Sequence, residues 1–99
     1  SNDMLTANNW NVLQYSILLM MFAQVSGLKA GTLVHVIADA HIYDRHVELV
    51  KEVIAKPQHK APKLIMNKNV TNFYDFTVDD FDLEDYEYEK LGKKIPVAI

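Results

Sequence analysis

Asp39-Ala40-His41-Ile42-Tyr43-Asp44-Arg45-His46 sets two aspartates, two histidines, a tyrosine and an arginine into one short run, and the rest of the chain reads as its support. From residue 35 to residue 43 the parity is regular: His35, Ile37, Asp39, His41 and Tyr43 fall on one side, Val36, Ala38, Ala40 and Ile42 on the other. A period of two is that of an extended strand. The spacing therefore predicts a strand over residues 32–43 with one small apolar face and one face that carries Asp39, His41 and Tyr43 together. A polar strand face of this kind can line a ligand cavity.

Working outward, His46 to Ala55 places Val47, Val50 and Ile54 at helical spacing with charges between them, which predicts an amphipathic surface helix. Pro57 and Pro62 bracket a basic loop, residues 63–67 read as a short strand, and Asn67-Lys68-Asn69 makes a turn. Phe81, Leu83 and Asp85 alternate with Asp82, Glu84 and Tyr86, so a strand is expected over residues 81–86, behind a helical turn near Val78-Asp79-Asp80. Upstream, Asn8 or Asn9 is expected to cap a helix that begins near Trp10. That helix is apolar almost all round, including the unbroken Ile17-Leu18-Leu19-Met20-Met21-Phe22-Ala23, and such helices are enclosed by protein. Gly27 is placed to end it in the left-handed conformation. The expected fold is α+β: a long buried helix over residues 10–26, with Ile17, Leu18, Met21, Phe22 and Val25 packed on a mixed sheet of the 32–43, 63–67 and 81–86 strands.

Composition narrows the class. Ninety-nine residues, 49% hydrophobic and 23% charged, make one folded domain or part of one. A net charge of −3 without clustered Lys and Arg gives no pull toward nucleic acid or anionic membrane, so neither partner is expected. With no cysteine the chain holds no disulfide, no thiolate metal site and no cysteine nucleophile of its own, and a cytoplasmic location is expected. Residues 4–28 carry no ionisable charge, but Asn8, Asn9, Asn11, Gln14 and Gln24 within them disfavour a membrane span, because one helix cannot satisfy amides in hydrocarbon.

Each candidate residue has a plainer reading beside the functional one. His41 and Tyr43 fit a satisfied structural network as well as a site. Asn11, taken alone, fits a helix cap. Asp39, His41, Asp44 and His46 are metal-ligand types, but strand and helix directions diverge after Tyr43, and the acidic run near residues 79–85 reads as a solvated face; no metal is expected.

Several motifs, in order, change the balance. Asn8-Asn9-Trp10-Asn11-Val12, Gln14-Tyr15-Ser16, Met21-Phe22-Ala23-Gln24-Val25, Asp39-Ala40-His41-Ile42-Tyr43 with His46, Pro62-Lys63-Leu64, Phe73-Tyr74-Asp75-Phe76 and the terminal Pro96-Val97-Ala98-Ile99 together resemble the C-terminal third of bacterial thymidylate synthase. The resemblance implies the thymidylate synthase fold and reductive methylation of dUMP to dTMP, with 5,10-methylenetetrahydrofolate as methyl donor and reductant, in a homodimeric parent enzyme. It implies that Ser1, Asn11, His41 and Tyr43 bind dUMP: Ser1 the phosphate, Asn11 the pyrimidine, and His41 with Tyr43 the deoxyribose 3′-hydroxyl. A carboxamide offers a donor and an acceptor, matching O4 and N3–H of uracil. Asp3 and Ala98 would contact the folate, and Val97, Ala98 and Ile99 would form the tail that closes over bound ligands.

The resemblance also implies what this chain lacks. The nucleophilic cysteine, the phosphate-binding arginines and a glutamate and tryptophan of the folate site would lie upstream of Ser1, so the chain alone is expected to be inactive. It is also expected to self-associate through the apolar surface that the upstream part would cover. Two other functions remain open: a non-catalytic interaction module derived from the family, and a dCMP or dUMP hydroxymethylase, for which an aspartate would stand at Asn11 in the cytosine-specific case.

Overall fold

The computed structural model describes residues 1–98. In chain order the elements are β1 (Asn2–Asp3), α1 (Asn8–Ser26), β2 (Ala40–His41), α2 (Val47–Ala55), β3 (Lys63–Met66) and β4 (Phe81–Glu84), with single 3-10 turns at Asp44–His46, Phe73–Asp75 and Val78–Asp80. The class is α+β, as expected, and the two predicted helices and the helical turn at Val78–Asp80 are present near their predicted spans.

The start of α1 corrects the expected cap. Ala7 is the N-cap and makes no side-chain bond, while Asn8 is already helical. The turn before it is organised by Asp3, whose Oδ1 accepts from the Leu5 and Thr6 N–H groups at 2.9 and 3.3 Å and whose Oδ2 accepts from the Thr6 hydroxyl at 2.6 Å. An aspartate that binds the backbone two and three residues on turns the chain locally, so the asparagines need not do it. Gly27 does end the helix, at φ +70°, and the Leu28 N–H returns to the Ala23 carbonyl at 2.9 Å.

The single mixed sheet is replaced by two separate ribbons. β1 and β2 pair in parallel, Asn2 with Ala40 and Asp3 with His41. β3 and β4 pair antiparallel, from Lys63 with Glu84 to Met66 with Phe81. Residues 32–38 have no ladder partner among the described residues, so the predicted 32–43 strand contracts to Ala40–His41. A period of two reports alternating side chains; only a neighbouring backbone makes the ladder. β4 stops at Glu84 because Asp85 takes φ +58°, outside strand geometry.

The long helix is not buried. Ile17, Leu18, Met21 and Val25 are half-buried, Phe22 is 52% exposed, and no hydrophobic side chain among the described residues is fully enclosed. Cover comes from the second ribbon and its approach. The Phe73 ring stacks on Phe22 with centroids 4.8 Å apart, and Gln24 Nε2 donates to the Asn67 and Val70 carbonyls at 2.9 Å each. Leu13, Ile17 and Met20 line an apolar hollow together with Leu64, Ile65 and Leu83. An all-round apolar sequence asks for cover on every side, and the described elements supply only part of it. The consequence is measurable. The chain exposes 8033 Å², where a self-contained protein of this mass exposes roughly 5,800 Å². Its radius of gyration is 16.4 Å, against about 13 Å for a compact chain of this length.

Candidate functional site

The parallel bridge carries the site. Asn2 N–H donates to the Asp39 carbonyl at 2.8 Å and Met4 N–H to the His41 carbonyl at 2.9 Å, which locks the first residues of the chain against the Asp39–His41 stretch. Two open hollows flank this seam.

The first, of about 290 Å³, is lined by Ser1, Asn2, Asn11, Tyr15, His35 and residues 36–38. Asn11 sits inside α1, one turn from its start, with its N–H on the Ala7 carbonyl at 3.0 Å, so the helix-cap reading of Asn11 does not hold. Its side chain is half-buried and its carboxamide makes no hydrogen bond to the other described residues. That leaves one donor group and one acceptor at the hollow without a partner among the described residues.

The second hollow, of about 340 Å³, is lined by Asp3, Thr6, Tyr43, His46 and residues 95–98. Tyr43 meets His41 edge to face with centroids 5.1 Å apart, and His41 Nδ1 stands 4.0 Å from Asp39 Oδ1. The two-residue spacing thus does bring His41 and Tyr43 together, as the parity predicts. The hydrogen bond from the Thr6 hydroxyl holds the Asp3 carboxyl below its ordinary value; burial opposes it, and the Leu5 and Thr6 N–H groups add to the lowering. Asp3 is therefore an anchored negative charge at neutral pH.

The expected dUMP set is divided by this geometry. Ser1 and Asn11 share the first hollow, Tyr43 faces the second, and His41 lies opposite Asp3 in the bridge. The expected folate residues Asp3 and Ala98 share the second hollow with Val97. Ile99 lies outside the described residues. Sequence reasoning missed how the tail is held: Arg45 Nη1 donates to the Val97 carbonyl at 2.8 Å, and His46 Nε2 bonds the Pro96 carbonyl at 2.7 Å. These partners are separated by about half the chain, beyond any local pattern. Among the described residues no group of three or more His, Cys, Asp or Glu side chains gathers as metal ligands, and no helix is long and apolar enough to cross a membrane.

A short parallel seam between two open hollows, with Pro96 and Val97 pinned beside one of them, is the centre of this α+β segment. Comparison with known proteins gives the family. The thymidylate synthase family model matches residues 1–99, and the chain belongs to that family. It is 45% identical over 98 residues to the thymidylate synthase of Bacillus licheniformis and 46% identical over 98 residues to that of Bacillus mojavensis, covering 98% of this chain and 35% of each relative. Its fold superposes on the thermostable thymidylate synthase A from Bacillus subtilis with a TM-score of 0.88 at 41% identity, covering 99% of this chain and 34% of that one. The chain spans about a third of the length of the relatives it matches.

Proposed function

We propose that residues 1–99 form the C-terminal, substrate-lining part of a cytoplasmic, homodimeric thymidylate synthase that converts dUMP to dTMP. The observation that carries this reading is the Asn11 carboxamide, without a hydrogen-bond partner among the described residues, beside Ser1 in the first hollow. A donor and an acceptor on one rigid amide match O4 and N3–H of uracil, whereas cytosine offers an amine and a bare nitrogen at the same edge. The same amide disfavours the cytosine-specific hydroxymethylase alternative.

In this reading dUMP reaches from the first hollow along the bridge to its far side, where His41 and Tyr43, held edge to face, share the 3′-hydroxyl of the deoxyribose. Ser1 offers a hydroxyl to the phosphate. The bulk of the phosphate charge is met by arginines outside this chain, since Arg45 is the only arginine here and is engaged with the tail. Asp3, fixed in place and ionised, offers an acceptor to the folate, and the second hollow fits a partly apolar ring, with Ile95, Val97 and Ala98 beside that carboxylate. When bound, 5,10-methylenetetrahydrofolate supplies both the one-carbon unit and the hydride. The tail excludes water from this site, and the nucleophile comes from outside the chain, which has no cysteine. The open sides of α1 are covered by the rest of the enzyme and its partner subunit.

The test is the base preference of the full-length enzyme. Calorimetry is expected to give tighter binding of dUMP than of dCMP; equal affinities would remove the role given to Asn11.

A further inference from the structure

No apolar side chain among the described residues is fully enclosed, yet His46 is, at 2% exposure. Its Nε2 lies 2.7 Å from the Pro96 carbonyl oxygen, and a carbonyl only accepts, so Nε2 carries the proton. Its Nδ1 is enclosed and has no partner among the described residues, so the ring's hydrogen bonding within them goes entirely to Pro96. The neighbouring Arg45 donates from Nη1 to the next carbonyl, that of Val97, at 2.8 Å. Successive side chains thus hold successive carbonyls. One contact would leave the tail free to swing about it; two fix its direction as well as its position. The 3-10 turn Asp44–His46 makes this possible by placing both side chains directly after Tyr43. The His46 ring also meets Tyr43 edge to face at 5.8 Å, and Tyr43 meets His41 in the same way at 5.1 Å.

We propose that Arg45 and His46 are positioning residues: a two-point clamp on the Pro96 and Val97 carbonyls that seats the tail over the Asp3–Tyr43 hollow and sets the Tyr43 ring at the same time. What the hollow binds rests on the function proposed above, whereas the clamp rests on the contacts alone. Because it grips backbone, it is indifferent to the side chains at 96 and 97 and sensitive to the donors at 45 and 46.

The experiment uses the full-length enzyme with Arg45→Met, which keeps the stem and removes the donors, Arg45→Lys, which keeps a donor, and His46→Leu. Two readouts are taken: the rate at which carboxypeptidase trims the tail, and separate kcat and KM values for dUMP and 5,10-methylenetetrahydrofolate. Arg45→Met is expected to speed trimming and to raise KM for the folate by roughly 3- to 10-fold, the loss of one ordinary hydrogen bond, with kcat changed less. Arg45→Lys restores most of both. His46→Leu is expected to raise KM for dUMP in addition, through Tyr43. Trimming and KM for Arg45→Met that match the unaltered enzyme would overturn the clamp, and this arm stands even if His46→Leu does not fold. Faster trimming in an enzyme that forms no dTMP would leave the clamp intact and overturn the function instead.

Discussion

Replacing Asn11 by aspartate in the full-length enzyme exchanges one amide nitrogen for oxygen at almost constant volume. The carboxamide has no hydrogen bond to the other described residues, so no hydrogen bond among them is lost. α1 carries no acidic residue in its first turn, and a carboxylate near the positive end of a helix is favourable by about 0.3 to 1 kcal/mol. The loss therefore falls on the ligand. With dUMP, O4 faces an acceptor where it had a donor, and leaving such a group unpaired costs about 1 to 3 kcal/mol, which is roughly 5- to 150-fold in kcat/KM. With dCMP the carboxylate accepts from the amine, so the dCMP to dUMP ratio rises. Steady-state kinetics on both nucleotides, with thermal melting as the control, measure this. An unchanged ratio would refute the role of Asn11; a lowered melting temperature would refute the claim that the fold does not need its amide.

Three further outcomes are expected. Residues 1–99 in isolation should self-associate, because the exposed area exceeds that of a self-contained chain by about 2,200 Å², the scale of an obligate interface; a clean monomer in sedimentation at high concentration would count against this. The same isolated chain should show no micromolar affinity for dUMP in calorimetry, since its one arginine is committed to the Val97 carbonyl, and micromolar binding would mean that the binding energy has been misplaced. In the full-length enzyme, the Asp3 and Asp80 carboxyls should titrate below the ordinary aspartate value of 3.8, Asp3 chiefly through the Thr6 hydroxyl and Asp80 chiefly through the Thr77 N–H. Their folded-state values are depressed, so the stability they contribute is present above that ordinary value and is lost as pH falls through the folded-state value. Carboxyl-carbon NMR midpoints at or above 3.8 would contradict this.

Local signals were legible in the sequence and distant ones were not. The span of α1, its end at Gly27, α2 and the two strands of the second ribbon all follow from periodicity and turn chemistry within a few residues. The pairing of His41 with Tyr43 followed from spacing in the same way. The Asn2–Asp3 strand did not, because two residues carry no period and their partner lies at Ala40–His41. The cap failed for a related reason: the asparagines have the right chemistry, but Asp3 turns the chain before them. The burial of α1 was overestimated because an apolar surface states what cover a helix requires and says nothing of whether the chain supplies it. Arg45 and His46 stood inside the most conspicuous motif, yet their role depends on a tail about fifty residues away.

The most direct test of the account is the product balance of the full-length enzyme with dUMP and 5,10-methylenetetrahydrofolate. Reductive methylation takes the hydride from the folate, so dTMP and dihydrofolate should appear in equal amounts, and neither should form with residues 1–99 alone. A hydroxymethylated nucleotide with tetrahydrofolate released unoxidised, or dTMP formation by the isolated chain, would contradict it.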